Sequence, residues 1–420
     1  MNTYFRGMSV LLSCALIYCS SETIQPPPHP DAGLPDANVG PDSSMGDLPF
    51  TKHFVAPKDP GAGGILLTAS GELLALGGYA FPPAQPNDPA FVDGWEVKFD
   101  RLLVTVDKLT LSDNPDKAPG DQSQVGGVVA EADGPWAIDL HKDDPSYLNG
   151  KGGAGERAAP ISALANQNKS GGAAFKTDGT RYAFGFDVVP ATLDGYNVNL
   201  GPAAIADYQQ MVADGCSVLY VGTATFKGQN CKENTAPFNA IPKSVKFKLC
   251  FKSPATYVNA QNPDNDPAKP FVNEEHQRGI AFKSNTSVIG QITVHTDHPF
   301  WESVVHDSPA HFDMLASRVS GADGGTPLVT LDAMKGVDFL HFLDALGKDL
   351  PWRSCLATYT PPDANVMHFD PLSVPQQSPN GDASKGLRDA YDYMTYNQST
   401  QGHLNSNGLA FVKRRYASPP

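Results

Sequence analysis

Apolar and polar positions alternate with a period of two through much of this 420-residue chain, the pattern of strands with one buried face. The clearest run is GWEVKFDRLLVTVDKLTL, residues 94–111. Trp95, Val97 and Phe99 alternate, and then Leu102, Val104 and Val106 alternate in the opposite phase. The spacing predicts one long strand with a bulge or bend at Asp100–Arg101. Residues 64–81 read as two short strands about a glycine turn. Further strands are predicted over 135–140, 180–189, 216–226, 243–251 and 287–296, each β-branched or aromatic and bounded by Gly, Pro, Asn or Asp. Helical spacing is sparse and mostly late, over 311–319, 336–346 and 386–396, with a short helix over 206–215 stopped by Gly215. The expectation is a mainly β protein: an antiparallel β-sandwich body over 50–260. A mixed α+β part with a few short helices, over 261–420, completes or packs on it. No fixed-period repeat occurs, which argues against solenoids and propellers.

The first residues, MNTYFRGMSVLLSCALIYCSSE, put Arg6 before an apolar run from Gly7 to Ile17. That run is too short to span a bilayer and reads as a signal peptide over 1–19. It ends at a cysteine and resembles the lipobox of bacterial lipoproteins, where the cysteine becomes the lipidated first residue. Cys19 follows the better-sized apolar run, whereas Cys14 follows the better small residue. Tyr18 departs from the small residue usual before that cysteine. Residues 20–49 contain QPPPHPDAGLPDANVGPDSS, and proline with aspartate predicts an extended tether without a core. The expected placement is an exported protein at the outer membrane or cell surface, held to the membrane by lipid alone, or otherwise periplasmic or secreted.

Composition narrows the chemistry. Net charge is −14 with no basic stripe, which argues against nucleic acid. Gly 39 and Pro 37 suit strands joined by many turns. Beyond the N-terminal region stand Cys216, Cys231, Cys250 and Cys355, an even number that predicts two disulfides in an exported chain. Three pairings exist. Cys216–Cys231 with Cys250–Cys355 is favoured, because the first closes a short loop and the second ties the C-terminal part to a strand.

The order of strands is similar to that of secreted bacterial lipoproteins with one β-sandwich and no assigned function. The likeness rests on Asp93–Trp95, Trp136–Leu140 and Arg181–Phe186 and covers about half the chain. At the same coarse level the chain resembles the periplasmic copper-binding partner proteins of methanobactin systems. The resemblance implies an exported β-sandwich and transfers no ligand residue.

Candidate chemistry concentrates in HTDHPFWESVVHDSPAHFD, residues 295–313, which holds four of the chain's 11 histidines. Period two sets Thr293, His295 and Asp297 on one face of a strand end. His298 follows at the turn, and Pro299 can open a helix that would put Glu302 and His306 on one face. Asp307 or Ser308 can cap a next helix beginning near His311. These elements could converge His295, His298, His306 and His311 on a transition metal, copper or zinc, with Asp297 as a ligand or orienting group. The competing reading is capping and packing chemistry in a metal-free surface lipoprotein that works by contact with a glycan or an envelope protein. TVHTDH (293–298) also resembles H-x-H-x-D-H of the metallo-β-lactamase fold, which implies a zinc-dependent hydrolase. Thr293 stands where that pattern has its first histidine, and the strand–helix alternation of that fold is absent. NPDNDP offers Asn262, Asp264 and Asp266 to calcium or, alternatively, to an Asx turn. Without a G-x-S-x-G elbow, serine hydrolase chemistry has no foothold.

Overall fold

Two sheets carry the molecule. The computed structural model describes residues 49–166, 172–266, 276–303, 308–337, 350–351, 353–359, 387 and 389–415. The expected signal peptide, lipidation cysteine and most of the tether lie outside the described residues. In chain order the strands are β1 (Ile65–Ser70), β2 (Trp95–Ser112), β3 (Val128–Ala132), β4 (Trp136–Asp139), β5 (Leu148–Asn149), β6 (Arg157–Leu164), β7 (Arg181–Val188), β8 (Tyr196–Asn197) and β9 (Val218–Phe226). They continue with β10 (Ser244–Phe251), β11 (Ala255–Val258), β12 (Ile280–Ala281), β13 (Val288–Thr293), β14 (Gly321–Asp323), β15 (Thr326–Thr330), β16 (His403–Leu404), β17 (Gly408–Leu409) and β18 (Phe411–Arg414). The helices are α1 (Glu72–Gly77), α2 (Pro202–Asp214), α3 (Asp313–Ala316) and α4 (Ala390–Gln398). The protein is mainly β, and its helices are few and short.

The larger sheet runs β14-β15-β10-β9-β2-β7-β11-β18, and the smaller runs β17-β16-β13-β1-β6-β5. Most pairs are antiparallel, but β1 pairs with β13, and β10 with β15, in parallel, so both sheets are mixed. One apolar core joins them. It takes Ile65, Leu67 and Ile292 from the smaller sheet and Val97, Phe99, Tyr220 and Phe247 from the larger. Burying a side chain of this size contributes about 1.5–3 kcal/mol.

β2 is the long strand expected. Its register against β9 shifts between Phe99 and Arg101. Trp95, Val97 and Phe99 before the shift and Leu102, Val104 and Val106 after it are all buried. The bulge keeps both phases facing the core. α2 ends where expected, at Gly215 in the left-handed conformation (φ 75°). Residues 64–81 differ: β1 is followed by a helix, not a second strand. Ala75 N–H donates to Gly71 O and Gly78 N–H to Leu74 O, closing helical turns over the Leu-rich run. Only Tyr79 returns to pair with Val97. Of the later helices, 386–396 corresponds to α4 and 311–319 shrinks to α3, while most of 336–346 lies outside the described residues.

All four cysteines are paired, with partners other than those favoured from loop length. Cys216 bonds Cys250, and Cys231 bonds Cys355. The β9–β10 ladder decides the first pair: Val218 lies opposite Phe251 and Ser217 N–H donates to Phe251 O, which draws Cys216 alongside Cys250. Two disulfides fit a protein that folds in an oxidising compartment. Among the described residues no helix is long and apolar enough to cross a membrane.

Candidate metal centre

The smaller sheet builds the site at the end of β13. Cross-strand partners project to one face of a sheet, and so do residues two apart along a strand. β13 and β16 are antiparallel, with Thr293 opposite His403. His295, two residues past Thr293, therefore emerges on the same face as His403. Their rings stack with centroids 4.2 Å apart and planes at 17°. The chain then turns through one 3-10 turn, His298–Phe300, with Pro299 in its first turn. This brings the His298 ring edge-on to both, 5.4 Å from His295 and 5.6 Å from His403.

Each of the three imidazoles offers one nitrogen, and these atoms all lie within 4.8 Å of one another. Three imidazoles on one metal at about 2.0–2.1 Å would have nitrogens about 3.3 Å apart in tetrahedral geometry. A closing of about 1.5 Å or less converts the group into a coordination shell, and His295, His298 and His403 could hold a metal ion.

The surroundings fix the rings. Thr400 Oγ1 lies 2.8 Å from His298 Nδ1 and donates its one proton to Asn397 O at 2.6 Å. The hydroxyl must then accept from Nδ1–H, so a neutral His298 carries its lone pair on Nε2. Trp301 stacks on the same ring at 3.9 Å, and the Trp301 carbonyl accepts from Tyr393 Oη of α4 at 3.0 Å. His295 Nε2 is 3.5 Å from Glu72 Oε2 and 3.3 Å from Ser406 O. Glu72 opens α1 with φ 59°, a left-handed conformation that costs a residue with a Cβ about 1–2 kcal/mol. Burial opposes protonation of His295, but the hydrogen bond and charge of Glu72, with the charge of Asp297, outweigh it. They hold the imidazole above its ordinary pKa.

The C-terminal hairpin that delivers His403 docks through two glycines. A Cβ on Gly402 would stand 1.8 Å from the Tyr257 ring, and one on Gly408 would stand 1.9 Å from Gln261 O. Asn405, at φ 57°, turns the chain between them, and its amide donates to Asn262 Oδ1.

Of the predicted ligands, His295 and His298 meet here, and His306 lies outside the described residues. His311 is engaged elsewhere: its Nε2 is 2.9 Å from Glu302 Oε2, which also takes the Tyr359 hydroxyl. Burial lowers the His311 pKa despite that carboxylate. Among the described residues the helix expected from Pro299 stops after the single 3-10 turn. Trp301 is extended and bridges Ala310, and Glu302 N–H donates to Pro309 O. This reversal turns Glu302 toward His311. α3 has no side-chain cap from its own chain segment. Asp93 Oδ2 accepts instead from the Phe312 and Asp313 N–H groups, each at 2.7 Å.

Asp297 is outside the group of three and lines the cavity beside His295. Thr293, at the first position of the H-x-H-x-D-H likeness, is buried and hydrogen-bonded to Gln291. The calcium reading of 262–267 finds no support: Asn262 caps a 3-10 turn by accepting from Asp264 N–H, and Asp264 pairs with Lys151 at 2.6 Å. His403 was missed in the sequence. Its signal is QGHLNSNG, where a histidine precedes an Asn-rich hairpin turn, but nothing in that segment says which strand the hairpin joins.

No protein-family model, curated protein or solved structure matches this chain.

Proposed function

We propose that this is an exported, lipid-anchored protein that captures or handles a transition metal, copper or zinc, at His295, His298 and His403. One observation supports this above the rest: three imidazoles from two distant stretches bring a nitrogen each within 4.8 Å. Imidazole is a ligand that zinc and copper both accept. The lipobox-like Cys19, or Cys14, would supply the anchor. The coarse likeness to copper-binding partners of methanobactin systems agrees with such a role. Capture is favoured over turnover because Glu72, one of two carboxylates beside His295, is engaged with that ligand histidine.

Elemental analysis of the exported, disulfide-bonded chain, purified without a histidine tag, tests the proposal. One metal per chain in wild type, lost in His298→Ala and in His403→Ala, is the expected result. No metal after reconstitution with either ion would sink it. The metal-free surface role would then take its place.

A further inference from the structure

The centre is reached from one side. His298 and His403 are buried at 2% and 0% exposure, whereas His295 is partly open. It opens on a cavity of about 180 Å³ whose wall also includes Glu72, Asp297 and Trp301. That space is roomy enough for several waters beside the imidazole. Pro89 and Asp297 line both this cavity and a second one of about 440 Å³, whose wall includes Asp88. Asp297 therefore stands at the junction of an outer and an inner chamber.

The acidic groups that the described residues bring to the two walls are Asp88, Glu72 and Asp297, with the titratable His295 at the inner end. Among the described residues no lysine or arginine lines either chamber. In a low-dielectric cleft, carboxylates of one sign concentrate cations and raise their rate of arrival. The ligand atoms present are also of one kind. No cysteine or methionine lines the inner chamber, and all four cysteines of the described body are in disulfides. Thiolate and thioether sulfurs select monovalent copper, while imidazole with carboxylate and water suits divalent ions.

We infer that the cargo is a divalent transition cation taken up in hydrated form, not monovalent copper, and that Asp297 is the positioning residue that draws it through the junction to His295. The inference rests on the metal-binding proposal and adds the oxidation state, the route and the residue that sets the rate of uptake.

The test is stopped-flow loading of the metal-free, disulfide-bonded chain with Zn²⁺, with Cu²⁺, and anaerobically with Cu⁺, each against a chromophoric competitor. Wild type is expected to take Zn²⁺ and Cu²⁺. Asp297→Asn should load them about 10-fold more slowly at low ionic strength, with the deficit falling below about 2-fold in 1 M salt. Asp88→Asn, on the exposed rim, should slow loading by a smaller factor. It keeps the route testable if the Asp297 variant folds poorly. Loading of Asp297→Asn at the wild-type rate overturns the route, as does a slowing that salt leaves unchanged. A wild type that binds Cu⁺ alone overturns this inference and leaves the metal-binding proposal standing. A wild type that binds none of the three overturns both.

Discussion

Two buried histidine sites lie within one short segment, and they do opposite things with similar parts. At one, His295 and His298 meet His403, which arrives from a strand more than a hundred residues downstream. At the other, His311 meets Glu302, whose same carboxylate oxygen also accepts from the Tyr359 hydroxyl. Both have a carboxylate against an imidazole, and the first opens at His295 onto a cavity while the His311 ring is fully buried. At the first site the partner across the sheet is another imidazole, so three nitrogens face one point. At the second the partner of His311 is the Glu302 carboxylate, and among the described residues no second imidazole joins it. A histidine's role here is set by what the fold brings opposite it, not by its immediate neighbours in sequence.

The largest effect that would separate the two sites is loss of metal. His403→Ala should take the bound metal from about one per chain to near zero, while His311→Asn should leave it near one. Equal loss in both variants, measured by elemental analysis, would erase the distinction. Next comes pH. Protons compete with metal for His295, whose pKa is raised, so occupancy should fall as pH drops, beginning above the ordinary histidine value near 6.5. His311, shifted downward, should contribute nothing to that release. A metal titration repeated from pH 8 to pH 5 checks this, and retention to pH 5 would contradict it.

A smaller effect is expected at Thr400→Val, which removes the acceptor that orients His298. Groups of this kind are worth about 10- to 100-fold in metal affinity, readable by chelator competition. Unchanged affinity would mean that packing on Trp301 alone holds the ring. The smallest concerns stability. His311→Asn takes from the Glu302 carboxylate its imidazole partner and should cost about 1–3 kcal/mol in denaturant unfolding of the metal-free protein.

The larger sheet was legible in the sequence because its information is local. The phase slip at Asp100–Arg101 is written in consecutive residues, and so is the stop at Gly215. Residues 64–81 misled because Leu73, Leu74 and Leu76 suit a short helix as well as a strand, and the closing hydrogen bonds decide between them. The disulfide partners and His403 were illegible for a different reason. Both depend on which strands become neighbours: β9 on β10 in one case, β13 on β16 in the other. Loop length, the guide used for the cysteines, carries no register. Two of the three imidazoles were nevertheless visible, because Thr293, His295 and the turn at His298 follow one another along the chain.

The pairing of β13 with β16 has a consequence for timing. The centre is complete only when a hairpin close to the C-terminus has docked against a strand formed much earlier, with Gly402 and Gly408 fitted under their neighbours. A chain still being synthesised, or threaded unfolded through a membrane, has at most two of the three imidazoles near each other and cannot compete for scarce metal. On the metal-binding proposal, loading follows the docking of residues 402–408. An ion bound there ties the last strands to the body and stabilises the folded form in proportion to the logarithm of its concentration over its dissociation constant. Where metal is plentiful the C-terminal hairpin should resist proteases, and where metal is scarce it should be the first part to open.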